Sequence, residues 1–317
     1  MMALRQACAS APASIGNVGP GFDILGQAFD AVRDTVIAVR EARPGVRLGE
    51  VSGLAVTLPD DVSNNTALAA AAAVLKAAEV DFGVRLSIIK GIPLAAGMGG
   101  SAASAVAGAV TVNALLDTPF STRELFPFAL EGERVACDPP HWDNVMASLL
   151  GGLVLAARLA PPVLARLPSP AGVTSILLHP PIRIETRAAR KLLERKVSIE
   201  LVVEHSRRVS ALVAGCGSGD FDLIRAGLED VLIEPQREHL LPVLPLVKRA
   251  ALAAGALGCS FSGSGPSVFG WAPDDKAAAV EDAMACAFME AGLAARSYRA
   301  PIESAGARVE QMSETVA

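Results

Sequence analysis

Residues 93–104 read Pro-Leu-Ala-Ala-Gly-Met-Gly-Gly-Ser-Ala-Ala-Ser, a stretch in which side chains give way to backbone just before a helical run. Glycines at 97, 99 and 100 let the chain turn sharply and approach a ligand closely. The free N–H groups and dipole of the helix that follows attract an anion. Ser101 adds a hydroxyl at the helix start. The chemistry this offers is phosphate binding. Glycine-rich strand-to-helix turns also serve packing, so the loop alone leaves both readings open.

Two nucleotide motifs can be tested against the same loop. A Walker P-loop needs Gly-Lys-Ser/Thr, and no lysine lies between Lys90 and Lys191. A dinucleotide fingerprint is nominally present as Gly97-x-Gly99-x-x-Ala102, with Asp117 about 20 residues or slightly less beyond it. Asp117, however, ends the helical run and precedes Pro119, whereas a ribose-binding acid belongs at the end of the next strand. The pattern therefore argues against both.

The elements that would position the loop follow from periodicity. Strands are expected over 35–39, 84–89 and 151–157, and helices over 66–78, 101–116 and 122–135, with Ser121 or Thr122 as a cap for the last. The proline-rich run from Pro161 to Pro170 marks a domain break, giving domains 1–159 and 160–317. Beyond it a strand is expected over 173–178 and helices over 186–195, 198–214 and 240–254. A strand, tight turn and strand follow over 258–270, then a helix over 274–292 and a strand over 295–299. Residues 310–317 read as a frayed tail. The whole suits an α+β protein.

Composition excludes several classes. Of 317 residues, 51% are hydrophobic but only 4% aromatic, so the core must be built from Ala, Val, Leu and Ile. Twenty-eight basic against 33 acidic residues leave a net charge of −5, with no footprint for nucleic acid and no polybasic segment for a membrane. Five widely spaced cysteines with no CxxC pair suit free thiols in a reducing cytoplasm. Four histidines without ligand spacing argue against zinc. The uncharged stretch 91–116 is long enough to cross a bilayer, but its proline, glycines and small residues read as a buried helix. No apolar segment follows Arg5, so no signal peptide is expected.

Three glycine-rich signatures recur in order: Pro12-Ala13-Ser14-Ile15-Gly16-Asn17-Val18-Gly19-Pro20-Gly21-Phe22-Asp23, the loop at 93–104, and Phe261-Ser262-Gly263-Ser264-Gly265-Pro266-Ser267. Together they resemble the GHMP family of small-molecule kinases, the galacto-, homoserine, mevalonate and phosphomevalonate kinases. Asn17 to Asp23, Glu131-Gly132-Glu133, His141-Trp142-Asp143-Asn144 and Thr186-Arg187-Ala188-Ala189-Arg190 are most similar to the homoserine branch. The resemblance covers nearly the whole chain. It implies an N-terminal domain like domain 2 of ribosomal protein S5 and a ferredoxin-like C-terminal α/β sandwich, with the active site between them. It also implies ATP and Mg²⁺ as the cofactors, L-homoserine as the acceptor, threonine biosynthesis as the setting, and a possible homodimer.

By resemblance, Pro93, Leu94, Ala95, Ala96, Gly97, Met98, Gly99, Gly100, Ser101 and Ala102 wrap the triphosphate, and Gly263, Ser264 and Gly265 close the site from the second domain. Ser101 and Glu133 hold Mg²⁺, while Asn17, Asp23, His141, Asn144, Arg190 and Arg237 take the acceptor. A zwitterion calls for such a set, because a carboxylate suits its ammonium and guanidinium groups suit its carboxylate. Taken singly, each of these residues also has a plain reading as a solvated charge, a turn residue or an ion-pair partner. The resemblance makes Glu133, Ser101, His141 and Asn144 the catalytic group. Several relatives place an aspartate base where Asn144 aligns, and an amide cannot take the hydroxyl proton, which argues for catalysis by positioning. Cys137 and Asp143 read as structural.

The chain departs from the family pattern twice. The loop usually reads Gly-Leu-Gly-Ser-Ser, but Met98 and Gly100 replace the leucine and first serine. Trp142 stands where a small residue is usual and is expected to shape the acceptor mouth. The alternatives are a GHMP kinase acting on another alcohol and a non-catalytic ligand sensor descended from one.

Overall fold

The computed structural model describes residues 4–314. The chain opens with a long antiparallel ribbon, in which β1 (Gln6–Gly16) pairs along its length with β2 (Leu25–Glu41). β1 is built of Ala, Ser and other small residues and is buried on both faces, so it carries no polar and apolar alternation that would betray a strand. β3 (Gly45–Gly53), α1 (Thr66–Ala78) and β4 (Gly83–Lys90) follow, with β3 and β4 in parallel register. The turn out of β4 is the phosphate-type loop, leading into α2 (Gly100–Asn113). α3 (Phe126–Ala136) and α4 (Trp142–Leu150) complete the helical layer, and β5 (Leu153–Leu159) and β6 (Pro162–Leu167) form a hairpin on the start of β2.

The uncharged stretch is a buried helix, as its composition suggests. α2 lies between the sheet and the other helices, with Ala102 to Ala109 buried. Small residues are needed because backbones meet: a Cβ at Gly108 would stand 2.6 Å from the Ala67 carbonyl oxygen, and one at Gly132 would stand 2.5 Å from that of Thr66. Among the described residues, no helix is long and apolar enough to cross a membrane.

The second layer runs β7 (Val173–His179), α5 (Thr186–Lys191), α6 (Ile199–Ser218), α7 (Phe221–Gly227), α8 (Glu234–Arg237), α9 (Leu244–Ala253), β8 (Gly258–Phe261), β9 (Val268–Pro273), α10 (Ala277–Glu290) and β10 (Arg296–Pro301). Its four strands lie in the order β10-β7-β9-β8, all antiparallel, which is the ferredoxin-like arrangement. Alternate residues face opposite ways. Ile176, Leu178 and Val268 join a core with α9 and α10, whereas Leu177, Phe269 and Trp271 join the core of the first domain. Trp271 Nε1 also donates to Gln27 Oε1 at 2.8 Å across that boundary. One face of the second sheet thus packs into the core of the first domain, while the other faces a core of its own.

Two expectations need correction. A break at residue 160 would split a hairpin, because β6 pairs with β5 in the first sheet. Pro161 and Pro162 sit at that hairpin's turn, and the chain crosses to the second sheet between Leu167 and Val173. The expected frayed tail is a strand instead: β11 (Arg308–Ser313) returns to the first sheet and pairs with β1, tied further by Ser10 Oγ donating to Glu310 at 2.5 Å. β11 is exposed and lacks apolar alternation, so ladder bonds to an open edge hold it. Residues 315–317 of the expected tail lie outside the described residues.

Candidate active site

The loop is fixed from below. Asp34 Oδ1 accepts the N–H groups of Gly91 and Ile92 at 3.0 and 3.1 Å, which sets the direction of the chain leaving β4. The other Asp34 oxygen is paired with Lys90, whose ammonium also donates to the Gly100 carbonyl at 3.1 Å and to Ser104 Oγ at 2.9 Å. Gly97 and Gly99 have φ of 72° and 64°, where an L side chain is strained. A Cβ at Gly99 would also fall 2.0 Å from Ser14 Oγ. Gly99 caps α2 without a side-chain bond, leaving the first N–H groups of the helix free to meet an anion.

The three glycine signatures meet physically. Ser262 Oγ donates to the Gly97 carbonyl and Ser267 Oγ to the Ala96 carbonyl, both at 2.6 Å. The Gly263 N–H donates to the Gly16 carbonyl at 3.0 Å, and Asn17 Nδ2 returns to the Gly263 carbonyl at 2.9 Å. One turn of the second domain therefore clamps the loop of the first and the end of β1.

Beside the loop stands an acid with a spare oxygen. Glu133, on α3, is 1% exposed, and its Oε1 accepts from Ser101 Oγ at 3.1 Å and from His141 Nδ1 at 2.7 Å. Its Oε2 is buried and has no protein partner. A buried, unpaired carboxylate oxygen next to a hydroxyl is a hard donor set that fits Mg²⁺. No group of three or more acids, histidines or cysteines suited to a metal occurs among the described residues. The remaining ligands of such an ion would be water and phosphate oxygens, the usual habit of Mg²⁺. Burial opposes a charge on His141, but the Cys137 thiol and the Glu133 carboxylate outweigh it and push the imidazolium up to about 10. The buried Nε2 of His141 has no partner in the protein.

The opposite wall is made of charges from four distant segments. Arg237, on α8, is 2% exposed; its Nε donates to the Ala189 carbonyl at 3.3 Å. Burial and the neighbouring Arg190 push its guanidinium down to about 10. Both guanidiniums lie 5.2 Å from the ring centre of Phe22. Arg190 is paired with Asp23. Asp143 is fully buried, accepting the Asn17 N–H at 2.8 Å and the Asn144 N–H at 2.9 Å, and burial followed by the charge of Asp23 pushes it up to about 6. Asn144 Oδ1 accepts from Ser14 Oγ at 2.9 Å.

One cavity takes in most of the expected site residues: Pro93 to Ser101, Glu133, His141, Asn144, Asn17, Arg190, Arg237, Gly263 and Ser264. Three expected residues do not line it. Ala102 is wholly buried in the core, Gly265 stands behind the rim with φ of 80° against the Phe261 ring, and Asp23 reaches the cavity only through Arg190. Trp142 does not shape the mouth; it packs edge-on against Phe126 with centroids 5.0 Å apart. Lys90, Ser104, Thr186 and Asp143 line the cavity although none of them has a site role in the sequence reading, where Asp143 is structural. Asp143 was adjacent to two residues already singled out, and its single signal, an acid in the first turn of an apolar helix, is equally that of a surface charge.

A glycine-built loop at a helix start, an acid and hydroxyl that fit a divalent cation, and a group of charged side chains in the same cavity suit a small-molecule phosphotransferase. The family models agree: residues 65–152 match the GHMP kinases N-terminal domain and residues 209–291 the GHMP kinases C-terminal domain. The chain belongs to the GHMP kinase family. Within it the chain resembles the homoserine kinases. It is 46% identical to the homoserine kinase of Xanthomonas campestris pv. campestris over 96% of this chain and 94% of that protein. Identity to the homoserine kinase of Xylella fastidiosa is 44%, over 97% and 95%. The crystal structure of homoserine kinase from Cytophaga hutchinsonii superposes with a TM-score of 0.92 at 36% identity, over 96% of this chain and 97% of that one.

Proposed function

We propose that this chain transfers the γ-phosphoryl group of ATP to the side-chain hydroxyl of L-homoserine, giving O-phospho-L-homoserine, a cytoplasmic step of threonine biosynthesis. The observation that carries the reading is a single cavity lined by the glycine loop and the start of α2 together with Asp143, Arg190 and Arg237, with Asp23 paired to Arg190 behind it. Glu133 and Ser101 are the residues that would hold Mg²⁺. When bound, the ion would neutralise charge on the transferring phosphates.

The chain's own residues do the positioning. The free N–H groups at the start of α2 and the turn at Gly263 and Ser264 receive the triphosphate, aided by the helix dipole. Arg237 and Arg190 take the acceptor carboxylate, Asp23 its ammonium, and Asn17 and Asn144 orient it. No side chain is suited to act as base. His141 Nδ1 is engaged with Glu133, the Asn144 amide cannot take up a proton, and both Asp143 oxygens receive backbone N–H groups. A loose phosphoryl transfer state makes little demand on a base, so the hydroxyl proton can leave to the phosphate as the new bond completes. His141, whose Nε2 has no protein partner, also lines the cavity.

The test is a coupled assay with ATP and Mg²⁺ against L-homoserine, mevalonate, galactose and shikimate. Turnover with homoserine at least about a hundredfold above the others in kcat/KM is expected, since rejecting an acceptor without both charges is worth about 3 kcal/mol or more. Preference for an uncharged alcohol would overturn the assignment.

A further inference from the structure

The acceptor wall is closed upon itself. Asp23 receives both terminal nitrogens of Arg190, at 2.8 and 2.5 Å, in the bidentate geometry that makes such pairs strong. The carboxylate is held in place from behind: Asp23 has φ of 59°, and its N–H donates to Asn17 Oδ1 at 3.0 Å. Arg237, beside them across Phe22, has no carboxylate within ion-pair distance among the described residues. Asp143 is the fourth charge of the group. Two guanidiniums and two carboxylates sum to zero, so the empty wall is balanced and a ligand of net charge zero leaves it balanced.

We propose that the Asp23–Arg190 pair is a latch that a zwitterion opens and a singly charged acceptor does not. The inference rests on reading this cleft as the homoserine site. An amino acid replaces one ion pair by two: its ammonium takes Asp23, and its carboxylate takes Arg190 together with Arg237. A hydroxy acid such as 4-hydroxybutyrate offers Arg190 a carboxylate but strands Asp23 beside it, two like charges in a partly buried site. An amino alcohol such as 3-aminopropan-1-ol strands Arg190 instead. Selectivity then lies in what the wrong ligand leaves unpaired as much as in what the right one gains.

The latch predicts effects of opposite sign for one substitution. Asp23→Asn keeps the left-handed backbone, which asparagine adopts readily, and sets Arg190 free. Homoserine loses its ammonium partner and its kcat/KM should fall by about thirtyfold or more, whereas 4-hydroxybutyrate no longer meets a competing carboxylate and its binding and kcat/KM should rise by about tenfold or more. The ratio between the two acceptors moves by more than about two orders of magnitude. Nucleotide Kd, measured on the same protein, should stay within about twofold and reports that the fold is intact. Asp23→Gly, which also suits a positive φ, repeats the test without the asparagine amide.

A fall for both acceptors in both variants, or no change in either, would overturn the latch. Wild-type turnover of homoserine tests the proposed function separately, because the sign of the change for calorimetrically measured 4-hydroxybutyrate binding reads the latch whether or not homoserine is the acceptor.

Discussion

The two sides of the cavity are built on different principles. The phosphate side is mostly backbone: glycines, free helix N–H groups and carbonyls clamped by serine hydroxyls from the other domain. The acceptor side is mostly side-chain charge, brought from residues 23, 143, 190 and 237, and part of it is paired with itself. Backbone held by short bonds across a shared core has one geometry to offer, and a phosphate chain asks for no more. Charged side chains can trade partners, so the acceptor side can discriminate. On the proposed reading, specificity is confined to the wall that can rearrange.

Substitutions on each side should separate these roles. The largest effect is expected for Glu133→Gln, which removes the buried acid with its spare oxygen: kcat should fall by at least about a hundredfold, with binding of homoserine itself little changed. Near-normal turnover across a range of Mg²⁺ concentrations would take Glu133 out of the metal site. Asp143 lies where the two sides meet, and its raised pKa makes a signed prediction. Burial holds it protonated above the ordinary carboxylate range, so its share of stability is present at low pH and is lost as pH rises through about 6. Relative to Asp143→Asn, the wild type should therefore lose about 1.4 kcal/mol of unfolding free energy between about pH 5 and about pH 7.5, measurable by urea denaturation. A gain for the wild type over that interval would mean that the site stabilises the anion.

Ser101→Ala should weaken nucleotide binding and slow turnover by about tenfold, since Gly100 leaves no second hydroxyl beside the helix start and the Glu133 bond is lost as well. The smallest effect is expected at the position where the loop departs from the family. A Cβ on Gly100 would meet Ile92 Cγ2 at 3.2 Å and Lys90 Nζ at 3.7 Å, contacts that a small shift relieves. Gly100→Ser should change nucleotide Kd by less than about threefold. Abolished binding there, with Ser101→Ala silent, would shift the placement of the phosphate site by one residue.

Legibility in the sequence divided along the same line. The phosphate loop is contiguous, and its glycines and serine carry their purpose in their spacing. The acceptor residues are scattered, and only their likeness to a family joined them; nothing in Arg190 or Arg237 taken alone separates a ligand from a surface ion pair. Asp143 read as structural, and Asp34 and Lys90 went unnoticed, because what distinguishes them is burial, a property of the assembled fold. Lys90 reaches the loop from the preceding strand, where no nucleotide-motif spacing anticipates it. β1 and β3 escaped notice for opposite reasons. The first is buried on both faces and the second is largely half-exposed, so neither shows the alternation of a strand with one wet face. The prolines at 161 and 162 did mark a turn, but a hairpin turn within the first sheet, and only strand pairing could tell that from a domain boundary.

The division between a fixed phosphate side and a discriminating acceptor side is tested most directly at Arg237, the buried cation without a carboxylate partner of its own among the described residues. Measured side by side for wild type and Arg237→Ala, kcat/KM for L-homoserine should fall by about thirtyfold to several thousandfold, the cost of leaving the substrate carboxylate without its desolvated partner. Nucleotide Kd should stay within about twofold in the same protein, because the Arg237 side chain bonds the Ala189 carbonyl and not the glycine loop proposed to receive phosphate. Unchanged homoserine kinetics, or a loss of nucleotide affinity as large as the loss for homoserine, would contradict the account.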